Sequence, residues 1–97
     1  MKEKRQLSDL VGVGPATLLD FKVLKIETIS QLALCHPEEL YRELCKRTAQ
    51  THDICAVDVF SAAVAQAKNP KLSAEKCQWW YWSKLRKAKG SSNVSRS

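Results

Sequence analysis

The sequence predicts an all-α domain of about five short helices. Three observations lead there. Apolar residues recur at helical spacing along most of the chain. Alternating runs rich in β-branched residues, the mark of strands, are missing. Proline, capping residues and glycine punctuate the helical stretches where starts and stops are needed.

The elements follow in order. A short first helix over Lys4 to Leu10 presents Leu7, Leu10 and then Val11, and stops at Gly12-Val13-Gly14. Pro15 opens the second, because a first helical position has no use for an N–H. Leu18, Phe21 and Leu24 share one face of it, it ends near Lys25, and Ile26 packs back as the chain turns. Thr28 caps the third, with Gln31 completing a capping box and Ile29, Leu32 and Ala33 facing inward. Pro37 starts the fourth, with Glu38 and Glu39 favouring its dipole, Leu40, Tyr41, Leu44 and Cys45 on the apolar face, and Glu38/Arg42 and Glu43/Arg47 pairs on a solvated face.

The stretch from Asp53 to Lys68 is the most apolar, with Asp53 as cap and a stripe of Ile54, Val57, Phe60, Ala63, Val64 and Ala67. Such a broad stripe places this helix centrally. Asn69-Pro70 stops it. Ser73 caps a last helix running to about Lys87, in which Trp79, Trp82 and Leu85 lie on one line and close the core, while Trp80 and Tyr81 point elsewhere. Residues 1–88 form the domain and residues 89–97 a disordered basic tail.

The formal net charge of +6 sits at the ends: residues 1–6 carry +2, residues 84–97 carry +5, and residues 7–83 carry −1. Basic ends attract nucleic acid without regard to sequence, and they also keep a small protein soluble. No apolar run is long enough to span a membrane and no signal-type stretch follows the charged N-terminus, so a cytoplasmic protein is expected. In that compartment Cys35, Cys45, Cys55 and Cys77 stay reduced.

Leu10 to Leu18 is the most informative stretch. Two glycines around one apolar residue allow a sharp reversal and leave N–H groups uncovered, and the second helix begins directly after them. Free N–H groups and the positive dipole end then point the same way, as a phosphate site requires. The pattern resembles the helix-hairpin-helix motif, whose hairpin amides hold a DNA backbone phosphate without reading bases. The resemblance gives that role to Gly12, Val13 and Gly14, with Thr17 donating a hydroxyl and Lys22 and Lys25 flanking. The sequence departs from the motif in two places. Pro15-Ala16-Thr17 stands where DNA-binding members often carry a base, and Lys25 stands where a glycine is common.

The likeness extends over roughly residues 6–83. A hairpin, a Cys, the stretch His52-Asp53-Ile54-Cys55 opening an apolar helix, and Trp79-Trp80-Tyr81-Trp82 together resemble a small bacterial family of pathogenicity-locus and mitomycin-resistance-like proteins. The resemblance implies DNA association. The fold class is then an all-α, SAM-domain-like bundle of about five short helices with one helix-hairpin-helix unit.

Cys45, His52 and Cys55 raise the question of zinc. Structural zinc sites usually have two close ligand pairs; the chain offers one, His52/Cys55, so no metal and no cofactor are expected. Cys55 in a first helical turn beside His52 could be a depressed-pKa thiol, but Asp53 opposes this and no oriented base accompanies it, so the chain is not expected to be an enzyme.

The sequence thus points to a monomeric, sequence-independent DNA-binding accessory module. The hairpin would hold a phosphate, and Lys84, Arg86, Lys87 and Lys89 would add attraction that salt screens. The other reading is a protein-interaction domain with no nucleic-acid activity.

Overall fold

A helix as apolar as the one from Cys55 to Lys68 must be covered on most sides, and that requirement organises the molecule. A computed structural model describes the chain over residues 4–96, with side chains over residues 4–88. The described residues are helical or irregular, with no strand. A 3-10 turn (Leu7–Asp9) is followed by α1 (Pro15–Val23), α2 (Ile29–Ala33), α3 (Pro37–Thr48) and α4 (Cys55–Lys68). A second 3-10 turn (Glu75–Cys77) then leads into α5 (Trp79–Arg96). α4 is the hub, packed against α2, α3, α5 and the second 3-10 turn. No helix among the described residues is long and apolar enough to cross a membrane.

The core joins Leu7, Leu10, Phe21, Ile26, Ile29, Leu32, Leu40 and Leu44 to the α4 residues Phe60, Ala63, Val64 and Ala67. Phe21 and Phe60 meet at its centre with ring centroids 5.8 Å apart. Pro15 and Pro37 each open a helix, and the Thr28/Gln31 capping box forms, with the Gln31 N–H donating to Thr28 Oγ1 at 3.1 Å. α1 and α3 both end in left-handed residues, Lys25 (φ 62°) and Ala49 (φ 55°). At each, paired N–H groups close back on the last turn: Lys25 to Lys22 O and Ile26 to Phe21 O, then Ala49 to Lys46 O and Gln50 to Cys45 O.

Several expectations are corrected. The first helix is only the turn Leu7–Asp9, and Val11 is exposed, because its backbone rather than its side chain faces the core. Ser73 does not cap α5; the chain makes the turn Glu75–Cys77 first, and α5 begins at Trp79. Ile54, expected in the α4 stripe, precedes the helix and is exposed. Trp79 and Leu85 do not close the core: they are 44% and 42% exposed, and among the described side chains of α5 the buried one is Ser83. The cause is a polar pin. Asp58 of α4 is 1% exposed and receives two hydrogen bonds of 2.9 Å from Arg86, which turns α5 so that Ser83 and Arg86 face α4. The last helix, expected to end near Lys87, runs to Arg96 through most of the stretch expected as a tail, with side chains described to residue 88.

Candidate nucleic-acid interface

The reversal between the first 3-10 turn and α1 is fixed by a residue far away in sequence. Gln66, buried on α4, uses its whole amide on Val11: its Oε1 accepts the Val11 N–H at 2.9 Å, and its Nε2 donates to the Val11 carbonyl at 3.0 Å. The same Nε2 lies 3.5 Å from the Cys77 carbonyl. Arg5 ties the preceding segment to the end of α4 by donating to the carbonyls of Gln66 (2.8 Å) and Ala67 (3.3 Å). Both contacts satisfy groups that a helix end or a buried loop would otherwise leave unpaired.

Within this frame Gly12 takes φ +82°, a conformation that suits glycine, and the Val13 N–H donates to Leu10 O at 3.2 Å. Val13, expected among the phosphate donors, therefore has its N–H occupied within the turn. The N–H groups of Gly12, Gly14, Ala16 and Thr17 have no acceptor among the described residues, nor has the Thr17 hydroxyl a partner. The first N–H of α1 used inside the helix is that of Leu18, which bonds to Gly14 O at 2.9 Å.

Gly14 is different from Gly12. It is the N-cap of α1 with φ −101° and ψ −172°, extended backbone that any residue adopts, and a Cβ there would meet nothing within 4 Å. The fold does not need glycine at this position. Serine, threonine, aspartate or asparagine would in fact cap the helix as well or better.

The expected basic residues scatter. Lys22 lies about 10 Å along α1 from Pro15, at a rise of about 1.5 Å per residue, and Lys25 lies beyond the far end. Both would meet a different phosphate from the one at the glycines. Arg86 faces inward on Asp58, whereas Lys84 and Lys87 are exposed. Lys89 lies outside the described side chains. An open cleft of about 410 Å³, lined in part by Arg5, Leu7, Ser8, Leu18, Glu27 and Thr28, does not include the glycines.

The cysteine–histidine segment is arranged as a structural joint. Cys45 Sγ accepts the His52 N–H at 3.4 Å and the Tyr41 hydroxyl donates to the His52 carbonyl, so the loop is held by its backbone. The Thr48 hydroxyl lies 2.8 Å from both Leu44 O and His52 Nε2, tying the His52 ring to the end of α3. Asp53, expected as the cap of α4, stands one residue before it: the N-cap is Ile54, and Asp53 Oδ1 accepts the Cys55 N–H at 2.9 Å, a bond that holds the Asp53 carboxyl below its ordinary range. The Asp53 carboxylate beside the Cys55 thiol, together with burial, pushes that thiol up, the opposite of an activated thiolate. Among the described residues no three His, Cys, Asp or Glu side chains are gathered to hold a metal; Cys45, His52 and Cys55 serve the loop instead. All four cysteines are free thiols.

Sequence reading missed Gln66 and Asp58. Their signal was a polar residue inside an otherwise apolar helix, where a buried side chain must find partners.

Comparison with known proteins bears on the whole of this arrangement. The family described as "Pathogenicity locus" (Cdd1) matches residues 1–88. The chain is also similar to a "Mitomycin resistance protein McrB" from Streptomyces lavendulae, 35% identical over 81 residues that cover 84% of this chain and 73% of the relative. No solved structure gives a significant match.

Proposed function

The chain belongs to the pathogenicity-locus family, and on that premise we propose that it is a non-catalytic, sequence-independent DNA-binding module of the helix-hairpin-helix kind that acts in damage resistance or DNA repair. The observation that carries the reading is Gly14. A residue that neither backbone angle nor packing requires to be glycine, at a helix start with four unpaired N–H groups around it, suits a ligand that must approach the main chain closely. A phosphate oxygen fits: it accepts several N–H bonds at once, and the α1 dipole favours its charge. Gln66 holds the turn in place before binding, so little ordering is needed on contact. Mitomycin resistance, the role in the relative's name, gives the reading its setting in damage resistance.

Gly14→Asp tests this sharply. Aspartate is a strong N-cap, so the variant should be as stable as the parent or more so by a few tenths of a kcal/mol. Its carboxylate would take the N–H groups and repel phosphate, so duplex binding should fall at least tenfold. Backbone amide shifts on titration with a short duplex should centre on Gly12, Gly14, Ala16 and Thr17 in the parent and shrink with salt. A folded Gly14→Asp protein that binds duplex as well as the parent would remove the hairpin from the function.

A protein-interaction role is the second reading. The apolar residues Leu19 and Leu34, 63% and 84% exposed, favour it. Binding of a folded protein partner without salt-sensitive DNA binding would establish it instead.

A further inference from the structure

Burying an indole is among the largest gains open to a small domain, yet Trp79 and Trp80 at the start of α5 stay exposed. Their neighbours are accounted for. The Trp82 indole N–H donates to the Lys76 carbonyl at 2.7 Å, and its ring meets Tyr81 edge-on at 5.3 Å. The indole N–H groups of Trp79 and Trp80 find no acceptor among the described residues. One turn on, Lys84 holds its Nζ 5.6 Å from the centre of the Trp80 ring.

α5 itself contains no acid, and its described charged side chains, Lys84, Arg86 and Lys87, are all basic; Glu75, in the turn before it, is the last acid of the chain. The corner is also joined to the hairpin. Gln66 Nε2 reaches the Val11 carbonyl on one side and the Cys77 carbonyl, just ahead of Trp79, on the other.

We propose that the Trp79–Trp80 corner is a stacking site for an unpaired base of single-stranded nucleic acid. The base lies on the exposed indole of Trp80, and Lys84 swings from the ring to the flanking phosphate. Flat aromatic faces beside lysines, on a helix that carries no acid, are the surface that binds single strands without regard to sequence. The proposal rests on the nucleic-acid reading of the hairpin only for its class of ligand, and the two can fail separately.

The test uses the full chain and three labelled probes followed by fluorescence anisotropy at fixed salt: a short thymidine strand, a strand of equal length made of abasic sites, and a duplex of that length. The thymidine strand should bind about tenfold more tightly than the abasic strand, which carries the same phosphates. Trp80→Ala should remove that preference and leave abasic and duplex binding unchanged, and Trp80→Phe should keep most of it. Gly14→Asp should lose duplex binding and retain the preference for bases. If the parent protein binds the thymidine and abasic strands equally, the proposal is overturned with no variant needed. Intact thymidine binding in folded Trp80→Ala overturns it as well. Binding of none of the three probes overturns it and leaves the corner to a protein partner.

Discussion

Lys25 and Ala49 are the non-glycine residues with left-handed backbone among the described residues. Both hold left-handed backbone to end a helix, a conformation that puts an L-residue's Cβ against the following carbonyl at a cost of roughly 1–2 kcal/mol. Each is kept there by the paired hydrogen bonds that close its helix. Lys25→Gly and Ala49→Gly should therefore each stabilise the protein by about 1 kcal/mol, less than the full strain because glycine also frees the unfolded chain. Urea midpoints at constant slope would show it, and a loss of stability in either would mean that the cap is not strained. The sequence already raised this for Lys25, where the motif favours glycine; Ala49 carried no such signal.

Asp20 gives a second residue-level prediction. Burial pushes its carboxyl up, with His52 pulling the other way. An acid whose pKa is raised in the fold binds its proton more tightly there than in the unfolded chain. Its contribution is present below the ordinary carboxyl range and is lost as pH rises through the raised value. At neutral pH the parent has lost it, whereas asparagine has no charge to desolvate. Asp20→Asn should raise the urea midpoint at pH 7, and the gain should disappear well below the carboxyl range. An equal gain at both ends would point to packing instead of charge.

At the scale of elements, the contact of α5 with α4 turns on one ion pair. Asp58 is almost wholly buried and Arg86 is 30% exposed at its side chain, so removing the arginine strands a carboxylate that water barely reaches. Arg86→Ala should cost about 3 kcal/mol, near the low end for a broken buried pair because Arg86 itself is partly solvated. Adding Asp58→Asn should recover part of it. A cost below about 1 kcal/mol would show that apolar contacts alone orient α5.

The same pin explains what the sequence could and could not disclose. Helix starts written in local chemistry, at Pro15, Thr28 and Pro37, were legible, as was the central place of α4. The orientation of α5 was not. Counting apolar spacing aligned Trp79, Trp82 and Leu85 as the inward line, but Asp58 had already chosen Arg86 as its partner, and Ser83 went inward with it. The chain reversal was legible in Gly12, while its anchor was not: Gln66 lies 55 residues from Val11, and no local pattern ties them together.

For the whole molecule, the distribution of charge decides how strongly salt should act. The middle of the chain is close to neutral, and of the expected basic residues Arg86 is spent inside the fold. Among the described side chains, duplex binding then has Lys22, Lys25, Lys84 and Lys87 to draw on, while the uncharged hairpin N–H groups add affinity without adding to the slope. About four neutralised phosphates, at a slope near 0.9 per contact, give a loss of affinity of about 150-fold between about 50 and 200 mM salt. If Lys89 and Arg96 also touch the backbone, about six contacts raise that loss to roughly 1800-fold. Replacing both with alanine in the full chain separates the cases. An unchanged slope assigns binding to the folded domain, and a slope lowered by about two assigns much of the attraction to the C-terminal end. Gly14→Asp should lower duplex affinity at every salt concentration, because the hairpin's phosphate contact is made by uncharged N–H groups. If that variant keeps the parent affinity across the salt range, the glycines hold no phosphate, and the basic residues alone account for whatever DNA the protein binds.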